Sequence, residues 1–402
     1  MDLRKLAAGV IFLWGIAGAE RINPRYATSA DCQACHTDIA KKWATSRHAH
    51  SHFTKNDLYN RTLEFMLKKE VLKTKEELVV QCAKCHNPRI EKRNVDDADK
   101  LGLLLDINTK EMDHMLNNAT MQNGINCIVC HNVDKIHLKK DDPEVRGFDA
   151  VQFGPQGTMY GPLAGARSPY HRTEKREFFV KDPAKLCFVC HYSDRNEHGV
   201  LVYSTGIEYE QAKAPDGKKP QCIECHMSGK KAGVASNYQG RGGMVKRMVR
   251  DHLFASIDNS EIYRKYIEAN ATVDDGVLRV TVKNATPHKV PTGYGLRRLE
   301  IQVRFFGTGE RKLGTVTKEF TAEWRDGSGK ETIPHLAVEK ANDDRIPPYG
   351  TVDASFVIPK GTTLINYRLI YRQLGEKMAR KLGVTDPFFT KEYVLKNGVI
   401  EL

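Results

Sequence analysis

A chain of 402 residues, 40% of them hydrophobic, is long enough for two or three domains and a sizeable core. Its formal charge of +12 points to an anionic partner, but the Lys and Arg residues are scattered. No basic stripe interleaved with aromatics occurs, which argues against nucleic acid.

In chain order, the sequence opens MDLRKLAAGVIFLWGIAGAE. Arg4 and Lys5 precede an apolar run from Leu6 to Ala17, and Ala17-Gly18-Ala19 is a small-residue cleavage site. Residues 1–19 therefore read as a secretory signal peptide, and the run is too short to span a bilayer comfortably. The expectation is a protein exported to the periplasm or the cell exterior. Once cleaved, it would have no membrane span and a charge of about +11.

All ten cysteines fall in pairs two residues apart, and a histidine follows each pair at once. The motifs are CQACH (Cys32, Cys35, His36), CAKCH (Cys82, Cys85, His86), CIVCH (Cys127, Cys130, His131), CFVCH (Cys187, Cys190, His191) and CIECH (Cys222, Cys225, His226). Disulfides are the usual use of cysteine in an exported chain, and zinc ribbons also use CxxC, but neither needs a histidine after every pair. Covalent c-type haem does: two thiols bond the vinyl groups and the next residue presents its imidazole to the iron. The motifs imply five covalently attached c-type haems. Each ferric haem brings roughly −1, so the loaded protein is about +6 when oxidised.

Ten histidines remain for at most five distal positions: His48, His50, His52, His114, His137, His171, His198, His252, His288 and His335. An iron with two histidines transfers electrons, whereas an open sixth position can bind a substrate. Asp38 to His48 reads as a helix, which puts His48 roughly 18 Å beyond His36, reaching a neighbouring iron rather than its own. His50 and His52 read as bystanders, His114 and His335 as surface residues, and His198 as bonded within its loop. Helical periodicity covers Asp57–Gln81 and Thr109–Met121, and the Gly- and Pro-rich stretch from Asp141 to Tyr170 reads as ordered loops. Gly229 to Arg247 reads as a flexible connector or surface loop. Residues 20–258 leave roughly 48 residues per haem, so the porphyrins must supply much of the buried apolar surface.

Beyond 258 the cysteines stop. Ser260 to Asn270 reads as a short helix, and then VLRVTV, LEIQVRFF and VDASFVI alternate with the strand period. The expected fold class is α+β: a haem-packed, mostly helical and loop domain over 20–258, then an immunoglobulin-like β-sandwich over 259–402.

Several segments resemble multihaem cytochromes of the cytochrome c-552/4 type. CHTDIAKKWATSRHA is similar to their CxxCH-x5-W-x-x-S-x-H-A run, with His48. GINCIVCHNVDKIH resembles a motif whose sixth residue after the proximal histidine caps another haem, placing His137 there, although Asn132-Val133 replaces the usual Gly-Pro. SPYH, DHLFASID and NATPHKVPTGYGLRR resemble further family segments, with His171, His252 and His288. CFVCH, a long insert and CIECHM form a paired-motif block, in which Ser228 replaces a common Pro. The resemblance implies five distal ligands: His48, His137, His171, His252 and His288.

The leading functional expectation is an electron-transfer protein relaying electrons between redox partners, such as other cytochromes or a membrane quinol-oxidising complex. One alternative is an oxidoreductase for a small nitrogen or sulfur oxyanion at a single five-coordinate haem, with Tyr160, Arg167, Tyr170 and His171 near it. Another is a subunit of an extracellular cytochrome filament. A pyridine haemochrome assay on the exported protein is expected to give five haems per chain. Replacing both cysteines of one motif by Ala should leave four.

Overall fold

A computed structural model describes residues 28–402 apart from 71, 72, 91, 143, 228 and 239–244. The expected leader lies outside the described residues. Among those residues no helix is long and apolar enough to cross a membrane.

The first two-thirds of the chain is built from short helices and two-stranded ribbons. Four motifs end a helix on their histidine: Lys75–His86, Cys127–His131, Ala184–His191 and Cys222–His226. Helical i,i+3 spacing puts both thiols of a pair on one face, and the histidine one turn beyond the first thiol joins them. In the first motif Cys32 lies in the helix Ser29–Gln33, and the turn continues as the His36 amide donates to the Cys32 carbonyl at 2.8 Å.

Local boundaries differ from the periodicity reading. The expected helix over Asp57–Gln81 is two helices, Asp57–Leu67 and Lys75–His86. Thr74 and Glu77 form a capping box, which satisfies the free amides of a new helix start and restarts the chain in another direction. The helix expected to reach His48 spans only Thr37–Ala44, and His48 sits in the turns that follow. The stretch read as a connector after Gly229 contains an antiparallel ribbon, Lys231–Val234 with Lys246–Val249. The helix expected over Ser260–Asn270 covers Ile262–Tyr266 and passes directly into a strand.

That strand begins a two-sheet structure of seven strands: β1 Ile267–Asp274, β2 Val277–Asn284, β3 Arg298–Phe306, β4 Lys312–Phe320, β5 Thr351–Val357, β6 Leu364–Arg372 and β7 Tyr393–Glu401. Their order is β5-β2-β1 in one sheet and β4-β3-β6-β7 in the other, all pairs antiparallel. Leu278, Val280 and Val282 alternate inward from β2 to meet Leu299, Ile301 and Val303 of β3 and Ile365 and Leu369 of β6 in one core. Their period of two is the reason the strands form here.

A second core joins the haem-motif region to the β region. Leu63, Leu78, Val80 and Phe148 from the former share it with Leu296, Trp324, Ile333, Leu374 and Met378 from the latter. Polar ties reinforce the junction. The Thr385 and Asp386 amides donate to the Asp57 carboxylate at 2.7 and 3.0 Å. Glu208, on the helix Thr205–Gln211, accepts from the Arg345 guanidinium at 2.9 Å, both side chains being 6% exposed. It also accepts from Ser204, Thr292 and the Lys289 amide, while Arg345 makes a second, bidentate pair with Asp343. A carboxylate removed from water this completely is tolerable only because its oxygens are all partnered.

Arg345→Met should therefore strand a buried carboxylate and cost about 3–5 kcal/mol. Thermal unfolding followed by far-UV circular dichroism is expected to show the lower midpoint.

Candidate haem-binding sites

Four of the five proximal histidines share one hydrogen-bonding habit. Nδ1–H of His36 donates to the Ala235 carbonyl at 2.5 Å, His86 to Ser51 at 3.3 Å, His131 to Tyr160 at 2.7 Å and His226 to Ala255 at 3.2 Å. Three histidines outside the motifs do the same: His171 to Arg172, His252 to Arg250 and His288 to Lys289, at 3.1, 3.1 and 2.9 Å. A carbonyl can only accept, so Nδ1 carries the proton and Nε2 is left with its lone pair available. This is the outer-shell arrangement typical of metal-ligating imidazoles.

The rings also face one another in pairs. His36 and His171 have centroids 6.4 Å apart, His48 and His191 6.2 Å, His131 and His252 6.2 Å, and His226 and His288 6.5 Å. Two metal–nitrogen bonds of about 2 Å plus the two ring radii add up to about 6.3 Å. The spacing suits two imidazoles on opposite sides of a single iron. It is far too wide for ring stacking as such.

Thiols of different motifs lie close together. Cys32 lies beside Cys127, Cys85 beside Cys190 and Cys187 beside Cys222, and all ten cysteines are free. Cys130 lies close enough to act electrostatically on both Cys187 and Cys190. Since thioether bonds sit at the vinyl edge of a porphyrin, porphyrins held by these thiols would have neighbouring edges close together. The first motif abuts the third, the third abuts the fourth, and the fourth abuts the second and the fifth.

Comparisons with known proteins bear on the haem motifs and the fold. The family described as "Outer membrane cytochrome MtrC/MtrF-like, domains II/IV" matches residues 67–239, a span that holds the second to fifth motifs. The fold is similar to the crystal structure of a penta-haem cytochrome c552 from Thermochromatium tepidum, with a TM-score of 0.69 and 19% identity. The match covers 93% of this chain and 98% of that one. The chain is a multihaem c-type cytochrome. No curated protein sequence matches it.

In this cytochrome the polar lining suits groups that bear carboxylates. Arg297 is enclosed, donates to the Thr292 carbonyl at 2.8 Å and bonds the Tyr371 hydroxyl, and its charge is felt by His191, His226 and His288. Among the described residues no Asp or Glu pairs with it. Haem propionates are the counter-charge that such a buried guanidinium fits.

Sequence context explains how the distal histidines are aimed. In the stretch from Trp43 to Ser51, the Trp43 indole donates to the Ile125 carbonyl at 2.9 Å, and the Ile125 amide donates to the His48 carbonyl. Ser51 donates to the His86 carbonyl at 2.9 Å. One short segment thus stitches the first, second and third motifs together while His48 reaches the fourth. His288 is held by Asn284, whose side-chain amide donates to the His288 and Pro347 carbonyls at 2.8 Å each. The Glu208 bonds to Lys289 and Thr292 lie just beyond it.

Other candidates lie elsewhere. His137 is exposed at the end of the strand Val133–Ile136, and no proximal ring faces it among the described ring contacts. The chain leaves the third motif straight into that strand, and its pairing with Val151–Phe153 turns His137 outward. His52, read as a bystander, is buried with both ring nitrogens engaged, one with Thr54 and the other with the Leu116 carbonyl. Tyr160 is buried beneath Arg176, and Tyr170 packs edge-on against Tyr238. His335, read as a surface residue, has a covered Nδ1 instead. No spacing signal marks it, because it follows no family segment and lies in a turn of the β region.

Gly124 is where this geometry is most sensitive. Its φ is +57°, and a Cβ there would come within 2.3 Å of Ser51 Oγ and 2.8 Å of the His48 carbonyl. Gly124→Ala is expected to push that segment aside and cost about 1–3 kcal/mol. Denaturant unfolding measures the loss, and a changed visible spectrum would report disturbance at His48.

Proposed function

We propose that this cytochrome is an exported electron carrier in which four irons are each held by two histidines. The pairs are His36 with His171, His191 with His48, His131 with His252, and His226 with His288. The observation that carries this reading is the set of four facing rings 6.2–6.5 Å apart. When bound, c-type haems supply reversible one-electron chemistry whose potential depends on ligation and burial. The two thiols of each motif would anchor a porphyrin, and each of the four histidine pairs would hold its iron. A saturated iron exchanges electrons without binding a substrate.

The thiol contacts support a branched relay rather than a linear one, with the fourth motif as its junction. The first motif feeds it through the third, and the second and fifth meet it directly. Partners are other redox proteins, such as cytochromes or a membrane quinol-oxidising complex. We also infer that the β region is an immunoglobulin-like sandwich, since three strands face four with β2 central in one sheet and β3 and β6 central in the other. It contributes His288, so it acts as a component of the haem scaffold.

Low-temperature EPR of the ferric protein tests the reading. At least four low-spin haems are expected, His252→Ala should convert one of them to high spin, and His137→Ala should convert none. High-spin signals from two or more haems in the wild type would overturn it.

A further inference from the structure

The second motif is the exception to the pairing. His86 has its Nδ1 bonded to the Ser51 carbonyl, as His36, His131 and His226 bond theirs, and Tyr59 rests against its ring at 4.4 Å. No histidine faces it at the 6.2–6.5 Å spacing among the described ring contacts. An oxyanion-reducing enzyme would need an open iron, and this is the one place left for it.

Six histidines lie outside the four pairs and the motifs, and most are disqualified by their contacts. Among the described ring contacts His114, His137 and His198 take part in none, whereas His335 meets Tyr294. His52 has both nitrogens engaged. His50 bonds the Ser46 carbonyl four residues back in its own turn. His335 is different. Its Nδ1 is buried with no hydrogen-bond partner, as is that of His48, which faces His191.

The surroundings of His335 converge on the second motif. It lies on the single turn Pro334–Leu336, and the haem-motif region grips that turn: the Asn196 side-chain amide donates to the Pro334 carbonyl at 2.9 Å and to the Ala337 carbonyl at 2.7 Å. Asn196 follows the fourth motif by five residues. Leu336 and Tyr294 pack on the core that contains Tyr59 together with Val80 and Ala83 of the helix Lys75–His86. The Tyr294 ring lies 6.0 Å from that of His335, and its hydroxyl meets Thr62 one turn along from Tyr59. His86 lies close enough to act electrostatically on His335.

We infer that His335, presented by the β region, is the distal ligand of the haem on the second motif, so that all five irons are saturated. This rests on the bis-histidine reading of the other four. With His288 and His335 each entering a different haem site, the β region becomes a second wall of the haem array.

The wild-type protein, fully loaded, should show only low-spin ferric EPR signals and no spectral change when its reduced form meets CO. His335→Gly should turn one haem in five high-spin and CO-reactive, and added imidazole should restore the low-spin signal. Should His335→Gly fail to accumulate, His335→Met retains a ligand and is expected to stay low-spin while shifting one of the five midpoint potentials upward. One CO-reactive haem in the wild type, unchanged by substitution at His335, would overturn this assignment and leave the four-pair relay standing. Two or more would sink both.

Discussion

On the proposed bis-histidine reading, the constraint on which the rest of the structure depends is the bond between an imidazole nitrogen and iron. Two rings must face each other about 6 Å apart, each with its lone pair free and its proton turned away. Proximal histidines meet half of this locally, because a helical CxxCH places two thiols and an imidazole on one face within five residues. The other half is not local. It must be supplied from wherever the chain folds back, and the carbonyls of Arg172, Arg250 and Lys289 fix the tautomers of His171, His252 and His288.

This division explains why the chain is not two independent units in series. His288 comes from the turn after β2 yet faces His226, and the segment that bears it is locked by Asn284 on one side and the buried Glu208–Arg345 pair on the other. Leu296 and Trp324 lie in the same core as Leu63 and Leu78. A composition change near residue 258 marks where cysteine ends and strands begin, but the packing crosses it. The porphyrins supply much of the apolar surface among the haem motifs, so a rigid β wall helps hold helices that are too short to be stable alone.

Short-range signals are readable in the chain, and long-range ones are readable only through resemblance. The period of two in VLRVTV and LEIQVRFF marks real strands because one face of each must be buried. The capping box at Thr74, by contrast, outweighs an apolar period that runs on from Asp57, and periodicity alone does not reveal it. His48 faces a neighbouring motif's histidine even though the helix expected to carry it ends at Ala44, since Trp43 and Ile125 position the turn. His137 shows the opposite case: its spacing matches a family pattern, but pairing of the adjacent strand with Val151–Phe153 directs it to solvent.

What the sequence by itself determined is the covalent chemistry: ten thiols in five pairs, each with a proximal imidazole, because those contacts are set by a spacing of one helical turn. Only the tertiary structure decided which imidazole faces which, that the fourth motif is the meeting point of the others, and that His335 is covered rather than exposed. Those relations join residues about 35 to 250 positions apart, and no spacing along the chain encodes them. They follow from which surfaces must be buried together once the helices, ribbons and sheets have formed.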